Sequence, residues 1–245
     1  MKETLDNLSI GNLQLLQAEN GYRYSLDPIL LARFVDLKKG SRVVDLGTGC
    51  GILPLLLARL SDSPSLIGIE LQSELATRAM RNVELNCLDD RVRILRGDIR
   101  KIKDLLPVGC ADLVVSNPPY RRPDSGRISP SDERAAARHE LAGGLADFIA
   151  AASWLLKNGG NFAVIYLAER LPELIVTMVA AGIEPKRLRM VHSRQGVVAK
   201  MVLLQGCKGG RSGLIVEKPL YIYKNDEGNR DYTAEVLRMY GESLN

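Results

Sequence analysis

The amino-acid sequence predicts an α/β fold with a doubly wound, mostly parallel, seven-stranded sheet that ends in an antiparallel hairpin. From Ser41 onward, short apolar segments of strand length alternate with segments of helix length, which favours parallel strands with helices on both faces. Near the C-terminus two strand-like segments have only a Gln195-Gly196 turn between them. A connection without a helix is typical of antiparallel strands.

The predicted elements follow from apolar runs that lie between turn residues. The predicted strands are Arg42–Leu46, Leu66–Ile69, Val92–Leu95, Asp112–Val115, Phe162–Leu167, Leu188–His192 and Lys200–Gln205. The predicted helices are Ile52–Leu60, Ser73–Leu85, Leu141–Leu156 and Leu171–Ala181. Residues 215–223 are expected to add one more edge segment.

An N-terminal extension is expected to precede this domain, so that residues 1–40 form a hairpin and a helix and residues 41–245 form the main domain. Residues 8–26 have the apolar pattern of a small hairpin, with Glu19-Asn20-Gly21 as its predicted turn. A helix is predicted to begin at Asp27-Pro28, because aspartate suits the N-cap and proline suits the first helical position.

Length and composition are those of one globular domain. The 245 residues are 46% hydrophobic and 25% charged, and no apolar run approaches the roughly 20 residues that span a bilayer. The polar, acidic segment Met1–Asn7 does not favour a signal peptide. We expect reduced thiols in a cytoplasmic protein and no metal site, because none of the cysteines has metal-binding spacing. The four cysteines are Cys50, Cys87, Cys110 and Cys207.

A glycine-rich loop follows the first strand of the main domain, in the sequence Asp45-Leu46-Gly47-Thr48-Gly49-Cys50-Gly51. Its Gly-x-Gly-x-Gly spacing differs from the Gly-x-Gly-x-x-Gly of dinucleotide-binding enzymes. Asp45 suits the ammonium of a methionine moiety and would repel a pyrophosphate, so the loop favours S-adenosylmethionine. The predicted cofactor contacts in this loop are Asp45, Gly47, Thr48, Gly49 and Gly51.

A second acid, Glu70, ends the next strand, where a carboxylate can accept hydrogen bonds from both ribose hydroxyls of the cofactor. Nicotinamide enzymes also place an acid there. A nicotinamide oxidoreductase is therefore the alternative from another class, and the glycine spacing and Asp45 argue against it. A third alternative, an inactive RNA-binding protein, is disfavoured by the motif that follows the fourth strand.

That motif is Asn117-Pro118-Pro119-Tyr120, which the sheet order places beside the glycine loop. A polar turn is the simple alternative, because Asn-Pro is common in turns. The Asn117 side-chain oxygen and the Pro118 carbonyl can each accept one N–H of an amino group, which favours a pyramidal nitrogen that faces the methyl group. Tyr120 offers a ring against which a planar acceptor stacks. Asn117, Pro118 and Tyr120 are the predicted catalytic residues, Asn117 also bordering the cofactor.

The two motifs together resemble the class I amino-methyltransferases, whose acceptors are adenine N6 in DNA or RNA, guanine N2 in rRNA, or a release-factor glutamine. The similarity covers about residues 22–206. It implies a Rossmann-like domain in which Asp98 accepts from the adenine amino group of the cofactor and the Ile99 N–H meets the adenine ring. The alternative for Asp98 is the N-cap of a short helix over residues 101–106.

The flanking segments narrow the choice of acceptor. About forty residues precede the glycine loop, so we do not expect the helical domain of the release-factor enzymes, a DNA-recognition domain or the duplicated half of rRNA guanine enzymes. Gly21–Asp27, Leu30-Leu31-Ala32 and Pro219–Tyr221 are similar to the family that methylates N6 of adenine 37 in tRNA(Val). The resemblance implies that Asp27 lies over the cofactor. We expect this RNA acceptor, with an rRNA amino group or a protein glutamine as alternatives.

The distribution of charge predicts contact with RNA, and no contact with a membrane is expected. The segment from Lys186 to Arg211 contains seven basic residues and no acid, and a solvated surface is the alternative. The long Arg121–Arg138 segment after the motif is expected to be a substrate loop. The basic residues expected to contact RNA are Lys186, Arg187, Arg189, Arg194, Lys200, Lys208 and Arg211.

Overall fold

The computed structural model describes residues 2–19, 25–61, 65–120, 143–225 and 230–241. The strands in these ranges are β1 (Glu3–Leu8), β2 (Leu13–Ala18), β3 (Arg42–Leu46), β4 (Ser65–Glu70), β5 (Val92–Arg96), β6 (Ala111–Ser116), β7 (Leu156–Leu167), β8 (Ile183–His192), β9 (Ala199–Lys208), β10 (Ile215–Val216) and β11 (Leu220–Tyr221). The helices are α1 (Asp27–Phe34), α2 (Ile52–Leu60), α3 (Ser73–Leu85), α4 (Ile102–Leu105), α5 (Leu145–Leu155), α6 (Leu171–Ala180) and α7 (Ala234–Met239).

The main sheet confirms the predicted fold class. Its strand order is β10-β8-β9-β7-β6-β3-β4-β5, with β11 also paired to β8. Strands β3 to β7 run parallel, whereas β9 is antiparallel to both β7 and β8. The two-residue strands β10 and β11 lie in the segment that was expected to add an edge. Within the described ranges, no helix is both long and apolar enough to cross a membrane.

Several element bounds differ from the sequence prediction, and the differences have local causes. Helices α2 and α3 have the predicted bounds, since clear apolar periodicity defines them. Strand β7 begins at Leu156, six residues earlier than predicted, because the glycines Gly159 and Gly160 lie in an irregular part of its pairing with β6 and do not end the strand. Helix α5 begins at Leu145, and the Asp147 carboxylate accepts a hydrogen bond from the Gly144 N–H at its start.

The N-terminal hairpin exists, but the prediction of its turn is wrong. Leu8 pairs with Leu13, so the chain turns through residues 9–12, where Gly11 and Asn12 have positive φ angles of 61° and 51°. Two residues in the left-handed region provide the reversal that Glu19-Asn20-Gly21 was expected to provide. The Glu19 N–H still donates to the Lys2 carbonyl and so belongs to the hairpin. Residues 20 and 21 lie outside the described ranges.

Apolar side chains cover both faces of the main sheet. One cluster joins the hairpin and helices α1, α2 and α3 to one face, and a second joins α4, α5 and α6 to the other. The central strands are buried on both sides: Val43 lies in the first cluster and its neighbour Val44 lies in the second. With both faces covered, the carboxyl ends of the strands are the edge at which such a sheet binds ligands.

Two asparagines of α3 attach the hairpin to the main domain. The Asn82 side chain accepts a hydrogen bond from the Leu16 N–H (2.7 Å) and donates to the Leu16 carbonyl (3.1 Å). Asn86, one turn later, does the same with Gln14 at 2.9 and 2.7 Å. Four helical residues rise about 6 Å and two strand residues about 6.8 Å, so the helix presents amides at nearly the repeat of a strand. Asn82 also donates to the Cys50 carbonyl in the glycine loop, at 2.9 Å.

We expect Asn82→Ala to destabilise the fold strongly. It would leave the partly buried N–H and carbonyl of Leu16 without these partners, and each unsatisfied group costs up to about 1–3 kcal/mol. A loss of roughly 2–4 kcal/mol in the free energy of unfolding is expected by urea denaturation. Thr77→Ala, an exposed change in the same helix, serves as the control. Equal stability of the two variants would show that the amide contacts do not hold the hairpin.

Candidate active site

One buried hydrogen bond brings the two sequence motifs together. Leu46 and Ser116 are paired residues at the carboxyl ends of the parallel strands β3 and β6. The Ser116 hydroxyl, which is fully buried, donates to the Leu46 carbonyl at 2.8 Å. Gly47 and Asn117 therefore leave the sheet side by side. The prediction that the glycine loop and the Asn117–Tyr120 motif are neighbours is confirmed by this arrangement.

The backbone of the glycine loop has a conformation and a close packing that disfavour residues with side chains. Gly47, Gly49 and Gly51 all have positive φ angles, of 73°, 59° and 84°. A Cβ atom on Gly47 would lie 3.1 Å from the Phe148 ring, and one on Gly51 would lie 3.1 Å from the Ala79 Cβ. The loop is closed against β4, because the N–H groups of Gly47 and Thr48 both donate to the Ile69 carbonyl.

Glu70, at the end of β4, holds this loop from the side. One carboxylate oxygen accepts from the Gly49 N–H at 2.9 Å and the other accepts from the Gln72 N–H at 2.8 Å. The side chain is only 6% exposed, and burial raises the pKa of Glu70, although these N–H groups oppose the rise. Each carboxylate oxygen has a second lone pair, so the residue retains the capacity to bind two hydroxyls.

Asp45 is the most deeply buried acid of the site. It is 2% exposed, and burial raises its pKa to about 7; the nearby charge of Glu70 adds to the rise, and the Thr48 hydroxyl opposes it. The Thr48 side chain lies over Gly68, where a Cβ atom would be 2.8 Å from its hydroxyl oxygen. Sequence reasoning missed Gly68, although a glycine inside the apolar strand Leu66–Ile69 was a usable signal of a close approach.

Asp98 and Ile99 begin a 3-10 turn after β5. The Asp98 carboxylate accepts from the Arg100 N–H at 2.9 Å and pairs with the Arg100 guanidinium at 2.6 Å. These hydrogen bonds lower the pKa of Asp98 against the effect of burial. Asp98 thus caps the 3-10 turn Ile99–Lys101, which is close to the alternative prediction that it caps a helix over residues 101–106. An adenine amino group would share the carboxylate with Arg100. The Ile99 side chain packs in the core.

Tyr120 contacts the other site residues through its hydroxyl as well as its ring. The hydroxyl oxygen lies 3.0 Å from Asp27 Oδ2 and also within hydrogen-bond distance of Asn117 Oδ1. Asp27 is the first residue of α1, and Leu26, not Asp27, occupies the N-cap position. The capping alternative for Asp27 is therefore wrong, and its carboxylate instead contacts the motif 93 residues away.

Two residues at the end of β7 fix Tyr120 from the other side. The Tyr166 ring lies edge-on to the Tyr120 ring at 5.8 Å, and the Arg170 guanidinium lies 4.9 Å from the Tyr166 ring. Arg170 also donates to the Tyr120 carbonyl at 3.3 Å, and it forms two hydrogen bonds with Glu173. Sequence reasoning did not find Tyr166 and Arg170. Their position at the end of the strand next to β6 was the available signal.

The basic segment from Lys186 to Arg211 does not form one surface, because β8 and β9 run in opposite directions. Arg194 and Lys200 lie at the carboxyl edge, near the pair His192–Ala199. Lys208 pairs with Ile183 at the opposite edge, about 25 Å away for eight strand residues. Its ammonium donates to the carbonyls of Ser153 and Leu156.

Two arginines between these edges have acidic partners. Arg187 pairs with Asp36 and Glu217, and Arg189 pairs with Glu235 at 2.6 Å. Lys186 donates to the Arg211 carbonyl at the opposite edge. Lys200 is exposed. The Arg121–Arg138 substrate-loop prediction lies outside the described ranges, as does Gly21–Tyr24.

Within the described parts of the chain, no group of three or more histidine, cysteine, aspartate or glutamate side chains converges as metal ligands do. The four cysteines are unpaired thiols. The site is instead built from separate carboxylates at three neighbouring strand ends, those of β3, β4 and β5, and from the amide of Asn117. These oxygen atoms can accept hydrogen bonds from an organic ligand with ammonium, hydroxyl and amino groups.

A sequence profile of the protein-L-isoaspartate(D-aspartate) O-methyltransferase family matches residues 23–102, about a third of the chain. The matched part contains the glycine loop, Glu70 and Asp98, and it ends before Asn117. Curated tRNA1(Val) (adenine(37)-N6)-methyltransferases from Tolumonas auensis and Aeromonas salmonicida are 30% and 32% identical to this chain, each over 179 residues and 73% of both chains. The relative of the same name from Dyadobacter fermentans is 23% identical over 84% of both chains.

Solved structures share the fold. A predicted O-methyltransferase from Agrobacterium tumefaciens has a TM-score of 0.72 at 24% identity, over 88% of this chain and 95% of that chain. An S-adenosylmethionine-dependent methyltransferase from Aquifex aeolicus has a TM-score of 0.53 at 22% identity, over 74% of this chain and 89% of that chain.

The doubly wound sheet with its antiparallel end, together with these relatives, defines a class I methyltransferase that uses S-adenosylmethionine. More narrowly, the chain belongs to the family of the tRNA1(Val) (adenine(37)-N6)-methyltransferases, because relatives of that name reach 32% identity over nearly three quarters of both chains. The resemblance stated from the two motifs is confirmed at the level of the family.

We expect Asp45→Asn to stabilise the cofactor-free protein at pH 8. The pKa of about 7 in the folded protein exceeds the ordinary value of 3.8, so the stability that the proton contributes is lost as pH rises through 7. The variant should raise Tm at pH 8 by at least about 2 °C, with a smaller gain at pH 5. Cofactor affinity should fall, because the charge that binds an ammonium is removed. Thermal unfolding at both pH values and calorimetry with S-adenosylhomocysteine measure these effects.

Asp112→Asn is the control with the opposite sign. Hydrogen bonds and charge from Lys157 and the Arg42 N–H lower the pKa of Asp112, although burial acts to raise it. This variant should lose stability at pH 8. An equal response of both variants would contradict the proposed cost of burying Asp45.

Proposed function

We propose that this protein transfers the methyl group of S-adenosylmethionine to N6 of an adenine in RNA, in a tRNA anticodon loop. The observation that carries the proposal is the buried Ser116–Leu46 hydrogen bond, which places the glycine loop beside Asn117. The relatives from Tolumonas auensis and Aeromonas salmonicida, named for adenine 37 of a valine tRNA, support the choice of acceptor. A tRNA substrate also favours a cytoplasmic location.

The proposed cofactor contacts follow the edge of the sheet. Asp45 takes the ammonium of the methionine moiety, and Gly47, Thr48, Gly49 and Gly51 form the backbone wall beside it. Glu70 takes the ribose hydroxyls with the lone pairs that Gly49 and Gln72 leave open. Asp98 and the Ile99 N–H take the adenine. The sulfonium supplies the methyl group, and the protein's part is to orient the acceptor nitrogen.

Asn117, Pro118 and Tyr120 are the proposed catalytic residues. The amino nitrogen of adenine is a poor nucleophile, because its lone pair is delocalised into the ring. Two acceptors, the Asn117 amide oxygen and the Pro118 carbonyl, favour its pyramidal form and aim the lone pair at the methyl group, which stabilises the transition state more than the ground state. Tyr120, half-buried and clamped by Tyr166 and Arg170, provides a fixed ring for stacking.

The extension formed by residues 1–40 serves this site in our proposal and is not an independent domain. Its apolar residues share a core cluster with helices α2 and α3 of the region 41–245. Asn82 joins it to the glycine loop through Leu16 and Cys50. Helix α1 then carries Asp27 to Tyr120.

The carboxyl edge of β8 and β9 is the proposed RNA surface. Cofactor contacts occupy the ends of β3, β4 and β5, so RNA that reaches Asn117 extends over β7, β9 and β8 on the other side. Arg194 is held there, with its guanidinium 5.8 Å from the Tyr223 ring and a hydrogen bond to the Lys224 carbonyl. Lys200 is exposed at the same edge. Of the seven basic residues that the sequence predicts to contact RNA, we therefore propose Arg194 and Lys200 as the contacts. The Arg121–Arg138 segment remains a proposed substrate loop.

Asn117→Ala is expected to lower the methylation rate by about two or more orders of magnitude with RNA affinity little changed, because the lost contact tightens as the nitrogen becomes pyramidal. Single-turnover methylation of an anticodon stem-loop measures the rate. A stem-loop with purine riboside at the target position, which lacks the amino group, is the matched substrate control. Methylation of that RNA would mean a different acceptor atom. Activity on rRNA or a glutamine peptide alone would favour the alternative acceptors.

Removing Arg194 and Lys200, the two basic residues beside the β8–β9 connection, should weaken RNA binding. Arg194→Gln/Lys200→Gln is expected to reduce the slope of log affinity against log salt by about 1–2, with cofactor affinity unchanged. Lys186→Gln/Arg211→Gln removes the same charge at the opposite edge and should leave the slope as it is. Fluorescence anisotropy over a salt series measures both. Equal slopes for the two double variants would show that position on the sheet does not matter.

A further inference from the structure

Two oxygen-bearing side chains contact the Tyr120 hydroxyl. Asp27 Oδ2 lies 3.0 Å from it, and Asn117 Oδ1 lies on its other side. A tyrosine hydroxyl has one proton and therefore donates one full hydrogen bond. A carboxylate is a stronger acceptor than an amide oxygen, so the proton belongs to the contact with Asp27. The lone pairs of the Tyr120 oxygen then face Asn117.

A lone pair that faces Asn117 favours the amide nitrogen on that side. Rotation of the amide by 180° exchanges its oxygen and nitrogen with almost no change of shape, so neighbouring groups decide the orientation. We propose that Asp27 is a positioning residue: it accepts the Tyr120 proton, Tyr120 accepts from the Asn117 amide nitrogen, and the Asn117 oxygen is left for the amino group of the acceptor. The last step rests on the proposed function.

Both ends of this chain of hydrogen bonds are held by rigid parts of the fold. Asp27 begins a helix whose next residues are buried, with Ile29 and Leu31 fully so. Its backbone N–H donates to the Ser25 hydroxyl at 3.3 Å, and the N-cap position belongs to Leu26. On the other side, Arg170 holds the Tyr120 carbonyl and Tyr166 holds its ring. The carboxylate and the hydroxyl therefore meet without a loop rearrangement.

This role differs in its consequences from a direct contact between Asp27 and the cofactor. A cofactor contact predicts that Asp27→Ala weakens binding of S-adenosylhomocysteine and that Tyr120→Phe does not. A positioning role predicts that both variants bind it as the wild type does. It also predicts that both lower kcat, because each one releases the orientation of the same amide.

The first measurement is a double-mutant cycle on methylation of the anticodon stem-loop. Asp27→Ala and Tyr120→Phe should each lower kcat roughly 10- to 100-fold with KM for RNA nearly constant, and the double variant should be no slower than the slower single variant. Asp27→Asn, whose amide oxygen still accepts the Tyr120 proton, should retain most activity. Tyr240→Phe, after the C-terminal helix α7, removes a hydroxyl outside this group and is the control. Additive losses, or wild-type kcat in Tyr120→Phe, would overturn the proposal.

The second measurement is independent of the substrate. In protein labelled with nitrogen-15, the Asn117 side-chain amide signal is assigned by its loss in Asn117→Ala. Asp27→Ala and Tyr120→Phe should shift this signal in the same direction, and Tyr240→Phe should not. Calorimetry with S-adenosylhomocysteine and the Tm of each variant show that the cofactor site and the fold are retained. If the wild type does not methylate the stem-loop, the proposed RNA acceptor fails, and an unmoved amide signal would still separately overturn the positioning role.

Discussion

The pairing of β3 with β6 is the constraint on which the site depends. The cofactor loop leaves the first strand and the acceptor motif leaves the second, so the distance between methyl donor and acceptor is set by neighbouring strands about 4.8 Å apart. Leu46 and Ser116 end these strands in register, and the buried Ser116 hydroxyl joins them. A one-residue slip of β6 would reverse which side chains face each cluster, so the packing of both faces also fixes the alignment of the site.

Two acids are buried at the same edge of the sheet, and their burial costs the cofactor-free protein electrostatic free energy. Asp45 and Glu70 are buried near each other, and burial raises the pKa of both. Glu70 reduces this cost through two backbone hydrogen bonds, which also shape the glycine loop. The effect of burial on the pKa of Asp45 is opposed by the Thr48 hydroxyl, and an ammonium group would supply a positive charge beside its carboxylate. Buried acids of this kind weaken the empty protein and favour the bound one.

The sequence was sufficient for features that depend on local pattern. The strand and helix order, the bounds of α2 and α3 and the adjacency of the two motifs follow from apolar periodicity and from the rules of parallel sheets. The hairpin turn was misplaced because Glu19-Asn20-Gly21 has stronger turn composition than residues 9–12, whose two left-handed positions decide the register. Asn82, Tyr166 and Arg170 were missed because their partners are tens of residues away, and no local pattern announces such contacts.

Basic residues that are neighbours in the sequence are not neighbours on the surface, and the topology of the sheet explains why. The basic segment is continuous in sequence, yet antiparallel strands return its two halves to opposite edges of the sheet. Arg187 and Arg189 have acidic partners from the segments before β3 and after β9, so part of the positive charge holds the C-terminal region in place. Within the basic segment Lys186–Arg211, which the structure describes in full, the part around the β8–β9 connection brings cations to the edge that carries Asn117. The location of an RNA surface in a sheet of this kind is therefore determined by where the strands end. A run of basic residues in the sequence predicts that the surface is positively charged, but it does not predict where on the sheet that surface lies.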